Sequence, residues 1–166
     1  MWSALKEHFK EFPAQEKVAA LMLQYGLSVK KGKVYCENIE IPALRIARAL
    51  GVDRRVVNAS VQTIEKTAEL KKVFENLHPA AYFKDVAEKM GWSVVEIVPD
   101  DASGTGILAG VSKIIADAGI SIRQAVSDDP EFAEDARLLV ICERQVPSSL
   151  IQKLRKSKGV KGVTIY

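Results

Sequence analysis

Apolar side chains fall at helical spacing through residues 1–91 and in a mixture of spacings through residues 92–166. Trp2, Leu5, Phe9 and Phe12 recur three and four residues apart, which places them on one helix face. Pro13 breaks that helix and suits the first turn of the next. Val18, Ala19, Leu21, Met22 and Tyr25 continue the pattern until Gly26, a helix stop. Val29, the turn Lys30-Lys31-Gly32-Lys33, and Val34-Tyr35-Cys36 predict two short strands around a glycine-containing turn. Pro42 opens another helix with Ile46, Ala49 and Leu50 apolar, and Gly51 ends it. Asp53 caps a further helix running to about Lys66, because its carboxylate can accept the unpaired N–H groups of the first turn. Helical patterns over 70–77 and 79–90 follow, and Gly91 closes the last.

From residue 92 the pattern changes. Residues 92–98 are rich in β-branched side chains and predict a strand. Residues 99–104 form a loop. Ile107, Leu108, Val111, Ile114, Ile115 and Ala118 mark one face of an amphipathic helix that ends at Gly119. Ile120, Ile122, Gln124 and Val126 alternate with polar residues, as in a half-buried strand. An acidic loop over 127–135 leads to Leu138-Leu139-Val140-Ile141-Cys142, a buried strand. Pro147 starts a helix with Leu150, Ile151 and Leu154 inward. Gly159 closes it, and Val163 and Ile165 belong to a last short strand. The sum is an α+β chain. A helical domain spans 1–91, and a strand–helix–strand–strand–helix–strand domain, the ferredoxin-like arrangement, spans 92–166. No serine- or proline-rich linker separates them.

Composition narrows the function classes. The 166 residues are 48% hydrophobic and 27% charged, which excludes a disordered or collagen-like chain. Cys36 and Cys142 have no paired spacing, so neither a disulfide framework nor a zinc ribbon is expected. No apolar run approaches membrane-spanning length and no signal peptide is evident, which predicts a cytoplasmic protein. The net charge of +3 is an average. Residues 1–91 carry +4 and residues 92–166 carry −1. The basic excess lies between Ser28 and Lys66, with 8 basic against 4 acidic side chains. Such an excess has meaning only beside a shape that reads nucleic acid.

Residues 43–57 supply a candidate shape. Ala47 is small enough for two helices to approach, Gly51 suits the tight turn, and Val57 packs the second helix on the first. Ile46, Leu50 and Val52 complete a small core. This segment resembles the helix-turn-helix of transcription regulators. The resemblance implies that the second helix enters the major groove of DNA with Arg54, Arg55 and Asn58 toward the bases and Gln62 one turn further. Arginine can fork onto guanine and asparagine onto adenine. The hairpin with Lys30, Lys31 and Lys33 would suit the wing of a winged helix, so Lys31 and Lys33 are expected at the phosphates. A compact αα unit without DNA accounts for the spacing alone.

The last 75 residues resemble an ACT domain, a small module that binds amino acids and similar metabolites. The residues that carry the resemblance are Asp101, Ser103, Gly104, Thr105, Gly106, Ile107 and Leu108, where the family places an acidic residue, a turn and Gly-x-Leu opening a helix. The proline common before the family's glycine is absent here. Lys158-Gly159-Val160-Lys161-Gly162-Val163 also fits. Independently of the family, the unpaired N–H groups at a helix start favour a carboxylate ligand. Gly104 and Gly106 open the backbone to it, and Asp101 or Ser103 could meet an ammonium group. The plain alternative is a loop capped by Ser103 or Thr105.

Gly104-Thr105-Gly106-Ile107-Leu108-Ala109 also fits a dinucleotide fingerprint, with Asp128 and Asp129 downstream. A doubly wound fold needs further parallel units that the remaining chain does not supply. His8, His78, Cys36 and Cys142 do not assemble a nucleophile with a base, so no enzyme, metal or cofactor is expected. The two halves together resemble small predicted regulators of amino-acid metabolism, known chiefly from archaea. That resemblance implies a dimeric sensor in which an amino-acid effector alters binding to double-stranded DNA. The alternative is a regulatory subunit that binds an amino acid and docks on a biosynthetic enzyme.

Overall fold

The computed structural model describes residues 2–133 and 135–166. The chain is α+β, with two antiparallel sheets, and it divides into two compact units, Met1–Ala81 and Tyr82–Tyr166.

In the first unit, α1 (Trp2–Lys6) and a 3-10 turn (Glu7–Phe9) bury Trp2, Leu5 and Phe9. Phe12 lies past the end of that turn and is 51% exposed, so it does not share the buried face its spacing predicted. Helix α2 (Pro13–Gln24) starts on its proline and buries Val18, Ala19 and Met22. Strands β1 (Ser28–Lys30), β2 (Lys33–Cys36) and β3 (Ile39–Ile41) form an antiparallel sheet in chain order. The third strand is not evident from the sequence because it is three residues long and buries none of them fully: Ile39 and Glu40 are exposed and Ile41 is half-buried. Helices α3 (Ala43–Leu50), α4 (Arg54–Lys66) and α5 (Ala68–Phe74) complete the unit. The core joins Phe9, Met22, Val57, Ile64, Leu70 and Phe74, all fully buried.

No helix covers 75–83, where helical spacing was read into 70–77 and 79–90. A residue that precedes proline is pushed out of the helical region, and His78 precedes Pro79. The extended segment passes directly over Gly26, where a Cβ would lie 2.3 Å from the His78 carbonyl oxygen. Gly26 is therefore required by close approach as well as by its φ of +62°.

The second unit begins with α6 (Lys84–Ala87) and a 3-10 turn (Glu88–Met90). Then follow β4 (Ser93–Pro99), α7 (Ile107–Asp117), β5 (Ile122–Ser127), β6 (Leu138–Cys142), α8 (Ser148–Arg155) and β7 (Val160–Ile165). The strands order β5-β6-β4-β7, and every described pairing is antiparallel. The dinucleotide fold, which needs parallel neighbours, is thereby excluded. On one sheet face Val95, Ile97, Val140 and Cys142 pack with Val111, Ile115, Leu150 and Leu154 of the helices. On the other, Val94, Leu139 and Ile141 pack with Phe83, Ala87 and Trp92. The central strands are apolar apart from Ser93 and Glu96 and show no alternation, because both their faces are covered. The sequence set the boundary at Gly91. The packing assigns 82–91 to the second unit, since that segment lies on its sheet.

Candidate functional site

Two constellations carry candidate chemistry, one in each unit. In the first unit, α3 ends in a closed turn. Val52 N–H donates to Ala47 O at 3.0 Å and Gly51 N–H to Arg48 O at 3.4 Å, with Gly51 at φ +64°. Ile46, Ala47, Val57 and Val61 are buried behind that turn. Asp53 caps α4, its Oδ1 accepting the Arg55 N–H at 2.7 Å. Ser60 is buried, and its hydroxyl donates to Val56 O at 2.8 Å, so the polar atom is paired within the helix. Arg54, Arg55, Asn58 and Gln62 all stand on the exposed side of α4.

Their freedom differs. Arg54 makes no ion pair among the described residues. Arg55 folds back on the cap, its Nε 3.1 Å from Asp53 Oδ1. Hydrogen bonds from the Arg55 side chain and N–H hold the Asp53 carboxyl below its ordinary range, and the same pairing raises Arg55. Lys33 is likewise paired, 2.7 Å from Glu40, which raises its pKa. Lys31 is exposed at the hairpin turn with φ +50°. The turn is tied to α4 by Gly32 N–H donating to Glu65 Oε1 at 2.6 Å. A groove of about 180 Å3 between hairpin and helix is lined by Lys33, Glu40, Asn58 and Val61 among others. Exposed Arg45 and Arg48 on α3 were not singled out in the sequence, although each lies beside a buried apolar position of the same helix.

In the second unit a cleft of about 150 Å3 opens where β4 leads into α7. One wall holds Pro99, Gly104, Gly106, Ile107 and Leu108. Gly106 is the N-cap residue of α7 at φ +88°, and no side chain caps the helix. Neither Ser103 nor Thr105 fills that role. The first-turn N–H groups, with their positive partial charge, thus meet no side-chain acceptor.

Asp101, Ser103 and Thr105 are not in the cleft wall. Asp101 and Ser103 face each other: Asp101 Oδ1 accepts the Ser103 N–H at 2.9 Å and its hydroxyl at 2.6 Å. These bonds keep the Asp101 carboxyl below its usual range. The acidic group on the cleft is instead Asp128, on the opposite wall with Ser127, Ala136, Arg137 and Leu138. Its Oδ2 accepts the Arg137 N–H at 3.0 Å and its own N–H donates to Arg137 O at 2.9 Å. The strand order is the signal that could have found it, because pairing β5 with β6 folds the start of the acidic loop back toward the sheet.

Beneath that wall lies Glu96, with a side chain only 4% exposed. Lys84 Nζ reaches it at 2.8 Å and Arg137 Nη1 pairs with its other oxygen. The Lys84 bond, and then that of Arg137, hold the carboxyl below its ordinary value against the opposing effect of burial. Lys84 also lies 5.3 Å from the centre of the Tyr166 ring. Of the remaining reactive residues, both histidines are engaged, Cys142 is buried and Cys36 is a half-buried free thiol. His8 pairs with Glu69 at 3.0 Å and His78 with Glu37 at 2.8 Å. Burial pushes the Cys142 thiol up to about 11, far from a reactive thiolate. Among the described residues no cluster of His, Cys, Asp and Glu could hold a metal ion, and no helix is long and apolar enough to cross a membrane.

No family model matches the chain, and no curated protein matches it either. Among solved structures, a crystal structure of a transcriptional regulator is similar at 16% identity and a TM-score of 0.31, covering 75% of this chain and 77% of that chain.

Proposed function

We propose that this chain is a regulator that senses an amino acid through its second unit and binds double-stranded DNA through its first, without catalysing a reaction. In this reading 92–166 is an ACT-like module and 43–66 a helix-turn-helix with the lysine hairpin as its wing. The observation that carries the reading is the cleft. The uncapped N-terminus of α7 and Asp128 both line it. A zwitterion has a partner for each end there: its carboxylate meets the helix N–H groups and its ammonium meets Asp128. Leu108 and Leu138 supply apolar surface between. The DNA half rests on the exposed side of α4, where Arg54 is unpaired and Asn58 and Gln62 follow it along the helix. Two copies pair through the β5 edge in this reading, since that edge strand offers unpaired backbone groups.

A thermal-shift screen of the common amino acids at millimolar concentration tests the sensor. An amino acid at about 100 times its Kd stabilises the folded protein by ~2.7 kcal/mol. One amino acid is expected to raise Tm, and Asp128→Asn is expected to remove that rise while leaving the unliganded Tm in place. No rise with any amino acid defeats the sensor. Arg54→Ala with Arg55→Ala is expected to abolish sequence-selective DNA binding with the amino-acid response intact.

A further inference from the structure

The near-neutral charge of the second half hides a division within it. Residues 92–143 hold 3 basic and 10 acidic side chains, whereas residues 144–166 hold 6 basic and none acidic. Five of those six, Lys153, Arg155, Lys156, Lys158 and Lys161, fall within nine residues at the end of α8, the following loop and the start of β7. All five are exposed, and none makes an ion pair among the described residues. The neighbouring acidic residue is Asp100, whose N–H donates to Gly159 O at 3.0 Å, but its carboxylate pairs with none of them.

Local structure explains part of this set. Lys153, Arg155 and Lys156 stand in and just past the last turn of α8, where cations complement the helix dipole. Lys161 sits at a bulge, because Gly162 opposes Val98 and Val160 opposes Pro99. A bulged lysine on an edge strand resists extension of the sheet by another strand. Neither role explains Lys158, nor the absence of any carboxylate over 144–166.

We propose that this basic loop is a phosphate-binding surface for duplex nucleic acid, separate from α4. Four of the five cations are lysines, flexible point charges that can meet phosphates along a backbone without a fixed bidentate geometry. Residues 144–165 contain no aromatic side chain on which bases of a single strand could stack. The bulged Lys161 argues against a second copy pairing at this edge. The surface therefore reads charge and not sequence, and its contribution is set by salt.

The test uses the full chain and a duplex of arbitrary sequence, about 24 base pairs long, titrated between about 50 and 200 mM KCl. Each phosphate contact adds about 0.9 to the slope of log K against log salt. Replacing Lys156, Lys158 and Lys161 by Gln is expected to lower that slope by about 2–3 and to weaken binding roughly tenfold or more at 100 mM. The matching Lys→Arg triple variant is expected to keep both, which separates charge from folding. An unchanged slope in the Gln variant overturns the proposal, as does a wild-type chain with no salt-sensitive duplex binding. A change of oligomeric state with the slope unchanged also overturns it, in favour of a self-interface. If Arg54→Ala with Arg55→Ala leaves selective binding intact while the Gln variant loses the slope, the α4 reading fails and this surface stands; the converse result removes this surface alone.

Discussion

Glu96 occupies the central strand between an apolar face and a covering segment, and nothing in its sequence neighbourhood marks it. A buried carboxylate is costly unless both oxygens are satisfied, and here Lys84 and Arg137 take one each. Because the folded pKa lies below the ordinary value of 4.5, the stability Glu96 contributes is present above that value. It is lost as pH falls through the lower folded value. Glu96→Gln is expected to cost about 1.5–3 kcal/mol at neutral pH, the range of hydrogen bonds to charged groups. The same variant should flatten the acid arm of the stability curve. Urea unfolding from pH 7 down to pH 3 measures both. If the variant loses as much stability with acid as the wild type, another carboxylate governs that arm. The residue scale is also where the sequence was least legible. Asp101 or Ser103 is expected at the ammonium, yet the two satisfy each other locally, the carboxylate accepting the hydroxyl and the N–H two residues on. Asp128, far away in the chain, reaches the cleft only because β5 and β6 pair.

At the scale of elements the punctuation was legible. Pro13, Gly51, Asp53 and Gly119 stand at helix boundaries, since each acts through its own backbone or first-turn contacts, whereas Gly159, expected to close α8, lies four residues past its end and directly before β7. The stretch 75–83 was misread because apolar spacing near Pro79 cannot reveal that the segment crosses Gly26. The cap of α4 allows a prediction that separates its two tasks. Asp53→Ala removes the acceptor for the Arg55 N–H and is expected to cost about 1 kcal/mol. Asp53→Asn retains a capping oxygen, so stability should stay within about 0.5 kcal/mol. It also removes the charge that draws the Arg55 guanidinium back onto the cap. If Arg55 contacts phosphate or base, the Asn variant binds duplex DNA more tightly and with a steeper salt dependence than the wild type. Equal salt slopes for the two proteins would show that Arg55 stays on the cap or never reaches DNA.

At the scale of the molecule, the question is where the second unit begins. The sequence places the break at Gly91, a sound helix stop, because the helical pattern over 79–90 continues that of the first half and does not reveal which core the segment covers. The structure gives residues 82–91 three jobs on that face. Phe83 and Ala87 pack over Val94, Leu139 and Ile141; Lys84 satisfies Glu96; and the Phe83 N–H donates to Gln124 at 3.0 Å. Removing the segment would uncover three large aliphatic side chains, at roughly 1.5–3 kcal/mol each. It would also strip one partner from a buried charge. The sum, about 5–9 kcal/mol before the charge is counted, is as large as the whole stability of a typical small domain. A fragment of residues 82–166 is therefore expected to unfold cooperatively in urea and to give a dispersed amide spectrum. A fragment of residues 92–166 should be unfolded or aggregated under the same conditions. A fragment of residues 83–166, which lacks only Tyr82 of the covering segment, should keep most of the stability. If residues 92–166 fold with stability equal to the longer fragment, the segment is a linker lying on the sheet and Glu96 draws its support from Arg137 alone.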